Sequence, residues 1–156
     1  DLLLEKLRAY TDSALVAVGG SIGVSGKKNG SPWIIGVRDP FSENPRETVG
    51  YLEAENLFVS TSGSYEKYFD SDGTRYHHIL DGVTGYPVRN GLVSVTVICS
   101  SGALSDALST AVFAVGEEKG LALCREYDAG VLFIREDGSF RMNEKMQTSF
   151  HIGARQ

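Results

Sequence analysis

Asp106 and Thr110 stand four residues apart in SDALSTA, so on a helix they project from one face, one turn apart. A carboxylate and a hydroxyl presented together are hard oxygen donors, suited to Mg²⁺ or Ca²⁺ and unsuited to a soft transition metal. The same pair also fits a plain solvated helix face, with the acid near the N-terminus where the helix dipole favours it. A second group lies in RYHHILDGVTGYPV, Arg75 to Val88, which holds two of the three histidines, His77 and His78, just ahead of Asp81. Imidazole titrates near neutrality, so it serves either as a general base or, protonated, as a phosphate ligand. Neighbours on a strand point to opposite faces, so the two histidines cannot share one task there. Either one faces a site while the other packs, or both are ordinary strand residues.

Other stretches carry weaker signals. Asp81-Gly82, Thr84-Gly85 and Pro87 form a rigid turn that either offers N–H groups to an anion or is simply a turn. Ser60, Thr61, Ser62 and Ser64 crowd around Gly63 ahead of a possible helix start, which suits a phosphate cradle or an ordinary serine cap. The paired Gly19-Gly20 ends a strand, as a close-approach site or a bend. Neither the dinucleotide-binding nor the P-loop glycine pattern occurs, and there is no Gly-x-Ser-x-Gly elbow.

The elements that must position these groups read as follows. DLLLEKLRAY repeats Leu3, Leu4 and Leu7 at helical spacing. ALVAV, IGVSG, WIIGVRD, VGYLEAE and LFVSTSG read as strands. Asp72-Gly73 marks a hairpin ahead of RYHHIL, and the apolar LVSVTVICS reads as a buried strand. GALSDALSTAVFAVG and EEKGLALCREY are helices, the first stopped by Gly116. Its apolar stripe is Leu104, Leu108, Ala111, Val112 and Val115, nearly opposite Asp106 and Thr110. AGVLFIRED returns as a strand and Asp137-Gly138 turns it into SFRM. The order of elements describes one α+β domain with packed helices and a mixed, mostly antiparallel sheet.

Composition bounds the function. The 156 residues carry a net charge of −5 with both signs interspersed, so no basic field draws the chain to nucleic acid or an anionic membrane. Eighteen glycines without a fixed period imply many tight turns. Cys99 and Cys124 lie in apolar surroundings without metal-site spacing and read as packing residues, with a disulfide between them left open. No apolar run approaches the length of a membrane-crossing helix.

Taken in order, VAVGGSIGVSG (16–26), PWIIGVRDP (32–40), STSGSYEKYF (60–69), YHHILDGVTGYPV (76–88), VTVICSSGALSDALSTAVFAVG (95–116) and GVLFIREDG (130–138) resemble the FAD:protein FMN transferase family, ApbE. The resemblance runs across nearly the whole chain and implies an ApbE-like, T-fold-related architecture, of which residues 1–156 would be the C-terminal portion. It implies an enzyme that cleaves FAD at its pyrophosphate and joins FMN by a phosphoester bond to a Thr or Ser of an acceptor flavoprotein, assisted by Mg²⁺. A non-catalytic FAD-binding module and an inactive fragment are the alternatives. By the same resemblance His78 would take the proton of the incoming hydroxyl, Ile79 would lie against the flavin nucleotide, and Asp106 and Thr110 would hold the metal. His77 would be structural. The family is typically exported and lipid-anchored outside the cytoplasmic membrane, an anchor that would lie beyond these residues. The sequence departs from the family pattern at Ser21 and Gly82, neither of which touches an expected ligand.

Overall fold

Side chains alternate in kind along the strands, so the sheet they form has two unlike faces. In a computed structural model, which describes residues 1–153, β1 (Ala14–Val18), β2 (Ser21–Ser25), β5 (Phe58–Gly63), β8 (Leu92–Cys99), β9 (Gly130–Arg135) and β10 (Phe140–Met142) lie side by side in that order. Every neighbouring pair is antiparallel. A smaller antiparallel sheet, β3 (Trp33–Arg38), β4 (Thr48–Ala54) and β11 (Phe150–Ile152), covers one face. Ile35, Val37, Leu52 and Ala54 meet Val24, Val59, Ile98, Leu132 and Ile134 there.

Helices α2 (Gly102–Val115) and α3 (Glu117–Glu126) cover the other face, where Leu108, Val112 and Phe113 pack on Val95, Val97, Val131 and Phe133. Strand β8 is buried along almost its whole length because both its faces are covered, which is why its sequence is a nearly unbroken apolar run. Cys99 and Cys124 are free thiols inside the helix-side core. Burial pushes the Cys124 thiol up to about 11, which removes it from nucleophilic chemistry at neutral pH.

The turns follow the local chemistry. Gly19-Gly20 is the two-residue loop between β1 and β2, with φ +58° at Gly19. Asp72 and Gly73, at φ +51° and +71°, join β6 (Tyr68–Ser71) to β7 (Thr74–His77), the pair of positive angles a two-residue hairpin favours.

The leucine spacing at the start does form a helix, α1 (Leu2–Leu7), which buries Leu4 and leaves Leu3 and Leu7 exposed. Two expectations fail. After Gly63 the chain makes a turn rather than starting a helix, because Ser64 donates its N–H to the Val93 carbonyl and the hairpin β6–β7 begins almost at once. On α2 Ala111 and Val115 are exposed, while Ser105 and Ser109 are buried with Leu108, Val112 and Phe113. The buried face is turned because half of it meets hydroxyls instead of apolar side chains.

Candidate functional site

Helix α2 starts firmly. Ser101 caps it by accepting from the Leu104 N–H, and the Asp1 carboxylate accepts from the N–H groups of Gly102 and Ala103 at 2.8 and 3.0 Å. These bonds satisfy donors that a helix start otherwise leaves open. One turn in comes Asp106, and the next brings Thr110, both exposed. The helix lies across β5 and β8. Toward β8 it meets valines, but toward β5 the strand alternation presents Ser60 and Ser62, with Ser21 paired beside Ser60 on β2.

A run of short hydroxyl contacts results. Ser21 Oγ donates to Asp106 Oδ1 at 2.8 Å, and Ser60 Oγ donates to Ser21 Oγ at 2.9 Å. Ser60 and Ser105 are 2.8 Å apart; Ser62 lies 2.9 Å from Ser109 and 3.0 Å from Thr110. Thr61, pointing the other way, bonds Thr96. Sequence reasoning singled out Asp106 and Thr110 but treated Ser21 as touching no ligand. It touches Asp106 directly. Ser105 and Ser109 went unnoticed; the available signal was two serines one turn apart on the buried side of a helix, where a leucine costs less unless a partner waits.

His77 ends β7 and His78 follows it, buried and exposed respectively. His77 Nδ1 accepts from the Ile79 N–H at 3.3 Å, so its Nε2–H donates to the Val88 carbonyl at 3.0 Å. Its ring meets the Phe113 ring edge-on with centroids 5.8 Å apart, tying this segment to α2 one turn beyond Thr110. Burial is the main cause holding the His77 pKa below its ordinary value, so this imidazole is neutral at pH 7. For His78 the pattern is reversed: Nδ1 lies 3.3 Å from the Lys67 carbonyl, which only accepts, so Nδ1–H donates and Nε2 makes no hydrogen bond to a described residue. Ile79 is buried in the core cluster that also contains Leu108, Val112 and Phe113.

The turn after His78 does not present its Val83 and Thr84 N–H groups to an outside anion. Asp81 Oδ1 accepts the N–H groups of Val83 and Thr84 at 3.0 and 2.8 Å, and those bonds, Thr84 first, hold its carboxyl below the usual range. The anion in this nest is Asp81 itself. Nor do the Ser60–Ser64 hydroxyls form a phosphate cradle; Ser60, Thr61 and Ser62 are engaged with one another's neighbours. A cavity of about 490 Å³ opens between α1, β1, β2 and the start of α2, bounded by Leu2, Leu3, Val16, Val18 and Phe58 with Asp106 at its rim. It takes in neither Thr110 nor His78, so the described residues join Asp106 to Thr110 through Ser62 and Ser109 but do not join either to His78 by a bond.

A sequence model of the ApbE family matches residues 1–133. The FAD:protein FMN transferase of Treponema pallidum (strain Nichols) is 38% identical over 152 residues, which is 90% of this chain and 42% of that protein. One from Klebsiella pneumoniae (strain 342) is 36% identical over 154 residues, 95% of this chain and 47% of its own. Among solved structures, the ApbE protein of Thermotoga maritima superposes with a TM-score of 0.81 at 38% identity, covering 91% of this chain and 46% of that one. The apo flavinyl transferase ApbE of Pseudomonas stutzeri gives 0.78 at 36% identity, with 99% and 49% covered. The chain belongs to the ApbE family. It spans less than half the length of these relatives.

Proposed function

We propose that this chain carries the phosphate-reacting half of an FAD:protein FMN transferase. The observation that supports it most directly is Asp106 beside Thr110, both exposed on α2 and braced from below by serines. A carboxylate and a hydroxyl one turn apart are the donor set of a hard divalent cation, and the fit is to Mg²⁺. Among the described residues no three His, Cys, Asp or Glu side chains gather, so Asp106 and Thr110 would hold the ion with carbonyl, water or phosphate oxygens completing its shell. When bound, such an ion neutralises charge on phosphoryl oxygens.

The remaining work falls to the chain. His78, exposed, takes the proton of an acceptor Thr or Ser hydroxyl at Nε2. The hydroxyl oxygen then bonds the phosphorus on the FMN side of FAD, the pyrophosphate P–O bond breaks, and AMP leaves with the electron pair. The Lys67 carbonyl fixes the ring so that Nε2 is the nitrogen available. Ile79, seated in the core, fixes where the histidine stands and would form the apolar floor under the nucleotide. The same reading puts the whole protein on the outer side of the cytoplasmic membrane on a lipid anchor, which fractionation of the source cells would test.

The function is tested by the mass of a Thr-containing acceptor protein after incubation with this chain, FAD and Mg²⁺, with and without EDTA. The expected result is a gain of one FMN that EDTA abolishes. Equal gain by Asp106→Ala and His78→Ala would overturn the assignment, and FAD bound but left intact would favour a binding module instead.

A further inference from the structure

We propose that Ser21 and Ser62 are positioning residues which set the direction of every proton around Asp106 and Thr110, and thereby shape the cation site. The proposal rests on the metal-holding reading of that pair. Each hydroxyl has one proton to give, and counting them fixes the order. An ionised carboxylate only accepts, so Ser21 spends its proton on Asp106 Oδ1. Ser60 must then donate to Ser21, and Ser60 can only accept from Ser105. Ser105 Oγ also donates to the Gly102 carbonyl at 3.0 Å, so its one proton is shared between that carbonyl and Ser60, while the Ser21 and Ser60 protons each have a single acceptor.

The second chain is ordered by its own terminus. Ser109 Oγ donates to the Asp106 carbonyl at 2.9 Å. Ser62 therefore donates to Ser109 and accepts from Thr110. With its proton directed inward to Ser62, Thr110 turns its oxygen lone pairs outward. Asp106 is held at Oδ1, and its Oδ2 accepts no hydrogen bond from any described residue. Both chains thus end on Asp106, one at the carboxylate and one at the backbone carbonyl.

Ser60, Ser105 and Ser109 are 1%, 0% and 1% exposed. Buried hydroxyls are costly unless bonded, and the neighbouring half of the same helix is filled with Leu108, Val112 and Phe113. A row of hydroxyls that replaces apolar packing and converges on one exposed carboxylate and one exposed hydroxyl organises oxygen donors for an ion. Partners of this kind typically change metal affinity about 10- to 100-fold when removed.

The test is a Mn²⁺ titration of this chain, free ion read by electron paramagnetic resonance, without FAD or acceptor. We expect Ser21→Ala and Ser62→Ala each to weaken binding at least about tenfold, Ser21→Thr to restore it by returning the hydroxyl, and Asp106→Ala to abolish it. Circular dichroism of each variant confirms the fold, and Ser21→Thr controls for packing. Wild-type affinity in both alanine variants, with binding lost in Asp106→Ala, overturns this proposal alone. Undiminished binding by Asp106→Ala, or none by the unmodified chain, overturns the metal reading beneath it as well.

Discussion

Two adjacent histidines are held through opposite ring nitrogens, because different carbonyls claim them. His77 gives Nε2–H to Val88; His78 gives Nδ1–H to Lys67. Only the second presents a free nitrogen outward, so His78→Ala is expected to slow FMN transfer by about 10² to 10⁴-fold, measured as the initial rate of acceptor mass gain. His77→Gln should act on stability instead. Its folded pKa lies below the ordinary 6.5, chiefly through burial, so the unfolded chain binds the extra proton first as pH falls. The stability linked to neutral His77 is whole above 6.5 and declines as pH drops through the folded value. Urea unfolding at pH 7.5 and 5.5 would show a midpoint drop in the unaltered chain that His77→Gln lessens.

At the scale of elements, α2 is the piece on which everything converges. One half of its buried face is apolar and the other half hydroxylic, so substitutions on the two halves should behave differently. Phe113, fully buried against His77 and the core, is expected to cost about 3–5 kcal/mol as alanine, read by chemical denaturation. Ser109→Ala removes one neutral hydrogen-bonding group and leaves Ser62 without its acceptor; about 1–2 kcal/mol is expected, with the larger effect on cation binding. A reversed order of the two stability losses would contradict this division of the helix. Gly120 lets α3 approach α2 closely, since a Cβ there would lie 2.6 Å from Val112 Cγ1. Such overpacking, in Gly120→Val, is expected to lower stability by about 1–3 kcal/mol.

The whole molecule is three layers, helices on a six-stranded sheet on a three-stranded one, and a charged clamp ties the first two at one edge. Glu117 of α3 accepts from Arg135 Nη2 of β9 at 2.8 Å and from Arg141 Nη1 of β10 at 3.0 Å. The Arg135 bond is the main cause holding the Glu117 carboxyl below its ordinary 4.5. Stability linked to this clamp is therefore present above pH 4.5 and lost as pH falls through the lower folded value. Glu117→Gln should unfold at lower denaturant at pH 7 and show a shallower acid limb than the unaltered chain; identical acid limbs would show the clamp contributes nothing.

Much of this was legible in the chain itself, because its signals are local. Strand alternation, Asp72-Gly73, Gly19-Gly20 and the four-residue spacing of Asp106 and Thr110 each follow from the geometry of a few consecutive bonds. The ordered motifs pointed to the family that the comparisons support. What the sequence could not supply was which surface each face would meet. Ser105 and Ser109 read as interruptions in an apolar stripe until β5 places Ser60 and Ser62 beneath them, about 45 residues away in the chain. Ser21 read as a harmless departure until strand pairing brings it to a carboxylate 85 residues on. Hydrogen bonds of that separation depend on register between strands and on where a helix lands. Only the tertiary structure decides those, since many distant contacts must close together before any one of them is fixed.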